Sequence, residues 1–227
     1  MYKIIIYIIV FNFSSFVFSN SNIYYPKENE KFEFNYSFGL GITKIPMEVV
    51  EEEFNHFPTF IMDTRLNLKG NFSLKSKFEM NYVTDALDIE IAYSNSIFGT
   101  NYSISAKGNT WIGNLDYDVF DVNATGLVVS PIFRIGKEFN RNYYTLEFEL
   151  QQNWMWTRSD NIELGRILNQ FNGYSLAFIT EQEITKSLRL MYQFRLGVLK
   201  YSYHSWIAYS FIDEYLLYPE INFGIIF

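Results

Sequence analysis

Apolar and polar side chains alternate along most of this chain, and helical periodicity is scarce. Phe32, Phe34, Tyr36, Phe38, Leu40 and Ile42 share one parity, with Glu33, Asn35, Ser37, Gly39 and Gly41 between them. Successive side chains of a strand point to opposite sides, so such a segment has one apolar face and one polar or small face. The pattern returns six more times. Phe60, Met62, Leu66 and Leu68 face away from Asp63, Arg65 and Asn67, and Phe72, Leu74, Phe78, Met80 and Tyr82 from Lys75, Lys77 and Glu79. Leu87, Ile89 and Ile91 oppose Asp88 and Glu90, and Leu127, Val129, Phe133 and Ile135 oppose Arg134. Tyr144, Leu146, Phe148, Leu150, Trp154 and Trp156 oppose Glu147 and Glu149; Leu188, Leu190, Tyr192 and Phe194 oppose Arg189, Gln193 and Arg195. A shorter run, Tyr174, Leu176 and Phe178, faces away from Ser175, Ala177 and Glu181, and 100–110 is a weaker strand.

The connections predict how these strands pair. Lys69-Gly70-Asn71 fits a three-residue hairpin with a left-handed Gly, which sets Leu68 opposite Phe72 and Asp63 opposite Lys77. Lys77 then lies diagonal to Glu90, and both apolar faces fall on one side, as a hairpin requires. Glu138 to Arg141 similarly sets Ile135 near Tyr144, and Pro131 predicts a bulge. Tight turns alternate with longer polar connections at 43–57, 110–123, 158–172 and 201–215. Short turns at one end and long loops at the other organise transmembrane barrels. The expected fold is therefore all-β, an antiparallel up-and-down transmembrane β-barrel of about ten strands, with eight or twelve also fitting.

Composition sharpens this picture. Of 227 residues, aromatics make up 20 % and charged residues 19 %, an excess of rings that a second, lipid-facing apolar surface accommodates. Phe72 to Tyr82 and Tyr144 to Trp154 each span ten residues, which at a tilt near 40° rise roughly 25 Å, the height of a barrel's apolar band. Tyr82, Tyr144, Trp154 and Trp156 are thus expected in the interfacial girdles. A net charge of -7 excludes a nucleic-acid partner that relies on basic patches, and the absence of Cys excludes disulfides and thiolate metal sites.

Both ends carry targeting patterns. Lys3, the mostly apolar run from Ile4 to Phe18, and Val17-Phe18-Ser19 predict a signal peptide over 1–19, leaving 20–227 as the barrel. At the other end Ile221, Phe223, Ile225 and Phe227 share one face, against Glu220, Asn222 and Gly224. This resembles the C-terminal targeting strand of small bacterial outer-membrane β-barrel proteins, in which a terminal aromatic follows apolar residues at every second position. The resemblance implies an integral outer-membrane location, with membrane lipids and the barrel-assembly machinery as partners. A soluble lipocalin-like barrel is the competing architecture.

The inward set carries both signs: Asp63, Arg65, Lys75, Lys77, Glu79, Asp88, Glu90, Arg134, Glu147, Glu149, Glu181, Arg189 and Arg195. Enclosed charges must be paired, so these predict a salt-bridged filling; a selective pore is the sharper reading. The expected role is structural, surface-binding or narrow-channel, without a cofactor. The alternative is a lipid-modifying or hydrolytic enzyme built on His204 with Ser205, Ser202 and Asp213. His56 and His204, on loops that barrel closure makes neighbours, form the candidate metal pair. No His-x-Ser-Asn pattern of outer-membrane lipases surrounds His204, nor any motif of omptin-type proteases. Gly39-Leu40-Gly41 reads as relief of curvature, and Glu51–Glu53 as a solvated loop.

Overall fold

A computed structural model describes residues 22–27, 32–49, 55–68, 70–117, 120–160, 162–185, 187–206 and 214–227. The alternation resolves into β1 (Glu33–Lys44), β2 (His56–Asn67), β3 (Phe72–Met80), β4 (Thr84–Ile97) and β5 (Thr100–Tyr117). There follow β6 (Phe120–Phe139), β7 (Asn142–Asp160), β8 (Ile162–Thr185), β9 (Leu188–Leu199) and β10 (Leu216–Ile226). Each strand pairs antiparallel with its sequence neighbour, and β1 pairs with β10 to close the barrel of ten. Closure leaves no edge through the membrane zone, where unpaired backbone groups would find no water.

The faces are as the parity requires. Phe38, Leu40, Ile91, Phe148, Phe178 and Phe194 are among the large apolar side chains exposed on the outside, while Asp63, Arg65, Arg134, Glu147 and Glu149 are buried within. A chain arranged this way is stable only where hydrocarbon covers its outer face.

The short-turn end follows the expected hairpin chemistry, with one adjustment. Leu68 N–H donates to Phe72 O at 2.7 Å, and Gly70 takes a left-handed φ of 82°. The β6–β7 turn is tighter than Glu138 to Arg141 predicts. Phe139 pairs with Asn142 around Asn140 and Arg141, which both have positive φ, so Ile135 meets Leu146 and Tyr144 meets Lys137. Those two dihedrals match the mirror-image turn that suits the strands' right-handed twist.

The other end departs further from expectation. Within the polar stretches 110–123 and 158–172, residues 110–117, 120–123, 158–160 and 162–172 are strand, not loop, so β5 to β8 run 18, 20, 19 and 24 residues against 12 for β1. At ~3.3 Å per residue and a 40° tilt, that is roughly 50 Å of wall on one side against about 30 Å on the other. Apolar alternation in the projecting part turns inward, because above the bilayer the outer face meets water. That inversion hides the strands from a search for outward apolar residues.

A one-residue bulge produces the inversion in β7. Asn153 pairs with Val128 and Met155 with Leu127, which leaves Trp154 as the extra residue. Below it the inward residues are odd-numbered, Glu147, Glu149 and Asn153; above it they are even-numbered, Trp156 and Arg158. Trp154 is 58 % exposed on the lipid side, but Trp156 is 8 % exposed and faces the lumen, so Trp156 is not a girdle residue. The bulge expected at Pro131 is absent: Val129 with Gln152 and Ile132 with Glu149 keep one register across it.

The seam is glycine-dependent. Gly39 pairs with Gly224, and a Cβ on Gly39 would lie 2.4 Å from Phe223 O, a backbone atom that cannot swing away. Gly39→Val is expected to destabilise the closed barrel by about 1–3 kcal/mol, read as a smaller heat-modifiable fraction on gels; an unchanged fraction would contradict the tight seam. Emission quenching by brominated lipid should be lost largely with Trp154→Phe and little changed by Trp156→Phe. The reverse result would put the parity switch in the wrong place.

Candidate functional site

At mid-height six strands send charged side chains into one chain of ion pairs. Lys75 Nζ on β3 lies 3.4 Å from Glu90 on β4, and Glu90 receives the Arg134 guanidinium of β6, with Nη2 to Oε2 at 2.9 Å. Arg134 Nε donates to Glu147 of β7 at 2.6 Å, and Glu147 also accepts from Arg195 of β9 at 2.8 Å. Arg195 continues to Glu149 at 3.2 Å, Glu149 to Lys107 of β5 at 2.6 Å, and Lys107 to Asp88 of β4 at 3.6 Å. Four cations and four carboxylates alternate along this path, so each buried charge has an opposite neighbour. Coulombic attraction in such surroundings offsets a desolvation cost of several kcal/mol per ion only when pairing is this complete.

The predicted Asp63–Lys77 pair is in register but not in contact. Lys77 reaches Glu79 on its own strand, while Asp63 accepts from Tyr24 Oη at 2.7 Å and Ser37 Oγ at 3.0 Å. Arg65 stands across the ladder from Lys75, a like charge, and neither of its strand neighbours supplies a carboxylate. Apart from Asn67 on its own strand, which accepts from Arg65 Nε at 2.7 Å, its partners come from outside the sheet.

They come from residues 22–26, which fold into the short-turn mouth. Arg65 Nη1 donates to the carbonyls of Asn22 at 3.3 Å, Ile23 at 3.4 Å and Tyr25 at 2.7 Å. In return Glu181 of β8 accepts the N–H groups of Ile23 at 2.7 Å, Tyr24 at 3.0 Å and Tyr25 at 3.1 Å. Ile23 is buried with Ala177, Ile179, Met191 and Ile226, and Arg189 donates to the Asn22 side chain. Tyr25 Oη accepts from Asn101 at 2.8 Å, and its ring meets Tyr143 edge-on at 5.0 Å. Sequence periodicity gave no sign of this floor, since the segment has none. The sign lay in Arg65, an inward charge that the predicted β2–β3 register sets opposite the like charge of Lys75.

A strap closes the opposite mouth. Residues 200–206 turn inward and include one 3₁₀ turn, Tyr203–Ser205, capped by Ser202. A second bulge anchors it: Phe171 pairs with Gln152 and Gly173 with Gln151, leaving Asn172 unpaired across β7. Asn172 is buried and spends its groups on the strap, accepting Tyr201 N–H at 3.0 Å and donating to Tyr201 O at 2.9 Å. Trp206, 1 % exposed, donates to Thr84 Oγ1 at 2.7 Å and lies with Trp111, Trp156 and Ile167 in one apolar cluster. Its ring sits where a Cβ on Gly113 would be, so only glycine fits beneath it. Tyr203 donates to Glu79, which ties the strap to the charged lumen.

Between floor, ion pairs and strap the free space is small. A cavity of about 60 Å³ lies under the strap, lined by Glu79, Trp111, Asn153, His204 and others, and one of about 30 Å³ lies above Tyr24. Each holds a few waters at most, by the requirement of roughly 10–15 Å³ per water.

Of the residues singled out as chemical candidates, His204 is buried in the strap with its ring 4.1 Å from that of Tyr203. Burial holds its imidazole below the usual histidine range, with nearby Glu79 opposing that fall. Its Nδ1 has no hydrogen-bond partner among the described residues. Ser205 Oγ donates to Ser202 O at 2.9 Å, and Ser202 Oγ accepts the His204 N–H, so neither hydroxyl is given to the imidazole in these bonds. His56 begins β2, exposed and opposite Lys44, whereas His204 is enclosed; Asp213 and Glu51–Glu53 lie outside the described residues. No group of three or more His, Asp or Glu able to hold a metal occurs among the described residues. Tyr82 is 89 % exposed, Tyr144 is half-buried, and Phe223 and Ile225 face outward. Phe227 stacks on Tyr36 at 5.4 Å, its N–H donating to Tyr36 O at 2.9 Å. The predicted signal segment, 1–19, also lies outside the described residues.

No family model matches the sequence, and no curated protein matches it. Among solved structures the chain is similar to outer membrane phospholipase A from Escherichia coli, at 12 % identity and a TM-score of 0.38, over 91 % of this chain and 93 % of that one. It is similar also to the translocator domain of autotransporter NalP from Neisseria meningitidis, at 8 % identity and a TM-score of 0.37, over 89 % and 90 %. The outer membrane protein Omp33 of Acinetobacter baumannii follows at 8 % identity and a TM-score of 0.32, over 86 % and 97 %. The likeness is one of barrels, and none of these activities is carried over from it.

Proposed function

We propose that the protein is an integral, non-enzymatic barrel of the bacterial outer membrane that seals its own lumen and acts through the end projecting from the bilayer. The closed sheet with an apolar exterior supports the membrane assignment, and the terminal Phe223, Ile225 and Phe227 would be read by the barrel-assembly machinery. The signal segment over 1–19 would deliver the chain to that route. One observation carries the sealed-lumen reading: among the described residues, floor, ion-pair chain and strap enclose cavities of about 60 and 30 Å³. Of the structural, surface-binding and channel roles, that filling favours the first two. The β5–β8 wall, extending well beyond the band that lipid covers, is the part placed to meet an external partner.

Refolded protein in a planar bilayer is expected to give no ion conductance; stepwise single-channel openings would end the sealed-lumen reading. Arg134→Met strands Glu90 and Glu147 and should cost about 3–5 kcal/mol in urea unfolding from detergent. Adding Glu90→Gln and Glu147→Gln should recover much of that loss. A single variant as stable as the parent would mean that the ion pairs do not govern the lumen.

A further inference from the structure

The contacts of residues 22–26 differ in kind from the rest of the lumen. Glu181 takes three consecutive backbone N–H groups and Arg65 takes three backbone carbonyls from the same short segment. Groups that read main chain in this way recognise a bent peptide, whose consecutive N–H groups converge on one anion, whatever its side chains. Side-chain selection is added at three places: an apolar socket around Ile179 and Met191 for Ile23, Asp63 for the Tyr24 hydroxyl, and Asn101 with Tyr143 for Tyr25. Glu181 is fully buried, and the strands on either side supply it with no cation across the ladder.

From this we infer that the short-turn mouth of the barrel is a peptide-binding site, occupied in cis by residues 22–26 of its own chain. Its ligand class is a short peptide able to bend as residues 23–25 do, carrying an aliphatic residue followed by two tyrosines. The segment joins the barrel only through residues 27–32, so a competing peptide of that kind enters by displacing it from the mouth. The inference needs the closed barrel but not the proposed cellular role.

The test keeps the whole chain. A site-specific protease sequence is inserted between Lys27 and Phe32, the protein is folded in detergent, and the link is then cut. The freed segment should co-elute with the barrel on gel filtration and exchange for an excess of dye-labelled Asn-Ile-Tyr-Tyr-Pro-Lys, but not for its scrambled version. Glu181→Gln, checked for folding by heat-modifiable migration, should release the segment roughly tenfold faster or more. Tyr24→Phe in the peptide should weaken exchange more mildly and serves if Glu181→Gln does not fold. Loss of the segment from the parent barrel on cutting would overturn the inference. So would equal uptake of the scrambled peptide, or a segment that never exchanges while the barrel stays folded.

Discussion

Everything enclosed by this barrel depends on charge neutrality at close range. The outer face is committed to hydrocarbon, so the ionic side chains of the same strands have nowhere to go but the lumen. A sheet of ten strands closes around too little space for bulk water to solvate them. Each carboxylate must therefore find donors among neighbours, and the alternating path from Lys75 to Asp88 is the outcome. Where the strands fail to supply a partner, chain from outside the sheet does so. The floor and the strap are best understood as completing the same neutralisation: Arg65, Asp63 and Glu181 are satisfied by 22–26, and Glu79 by Lys77 and Tyr203.

This gives the two mouths different characters. The floor is polar and main-chain-directed, with a small apolar socket, and so it holds a segment by its backbone. The strap is held by ring packing over Gly113 and by one bulged asparagine, so its fit depends on side-chain shape. His204 lies on the lumen side of that strap, enclosed, with the described hydrogen bonds of Ser202 and Ser205 made to main chain.

Much of this was legible in the residues. Antiparallel order and the identity of the inward charges follow from strict parity, because a one-residue error would put Arg or Glu into lipid, while the alternation of turns and loops left the count at about ten, with eight or twelve also fitting. The β2–β3 register was readable from Gly70 for the same reason. What parity cannot foresee is its own interruption. The bulge at Trp154 turns Trp156 inward, and nothing local distinguishes those two tryptophans, four and six residues beyond Leu150 on the same even parity. The 22–26 floor was hidden because irregular chain has no period. Pairing among lumen charges was only partly readable, since long side chains reach along strands, as Lys77 does to Glu79, as readily as across them.

The bulge at Trp154 also sets where the hydrophobic belt ends along β7. In an unbroken strand the outer surface would stay greasy for as long as the alternation lasts, and β7 and β8 are far longer than a bilayer is thick. One surplus residue, Trp154, exchanges the roles of the two sides of β7 near the level where lipid gives way to water. The thickness of membrane this protein matches is fixed there by the position of an insertion rather than by the length of an apolar run.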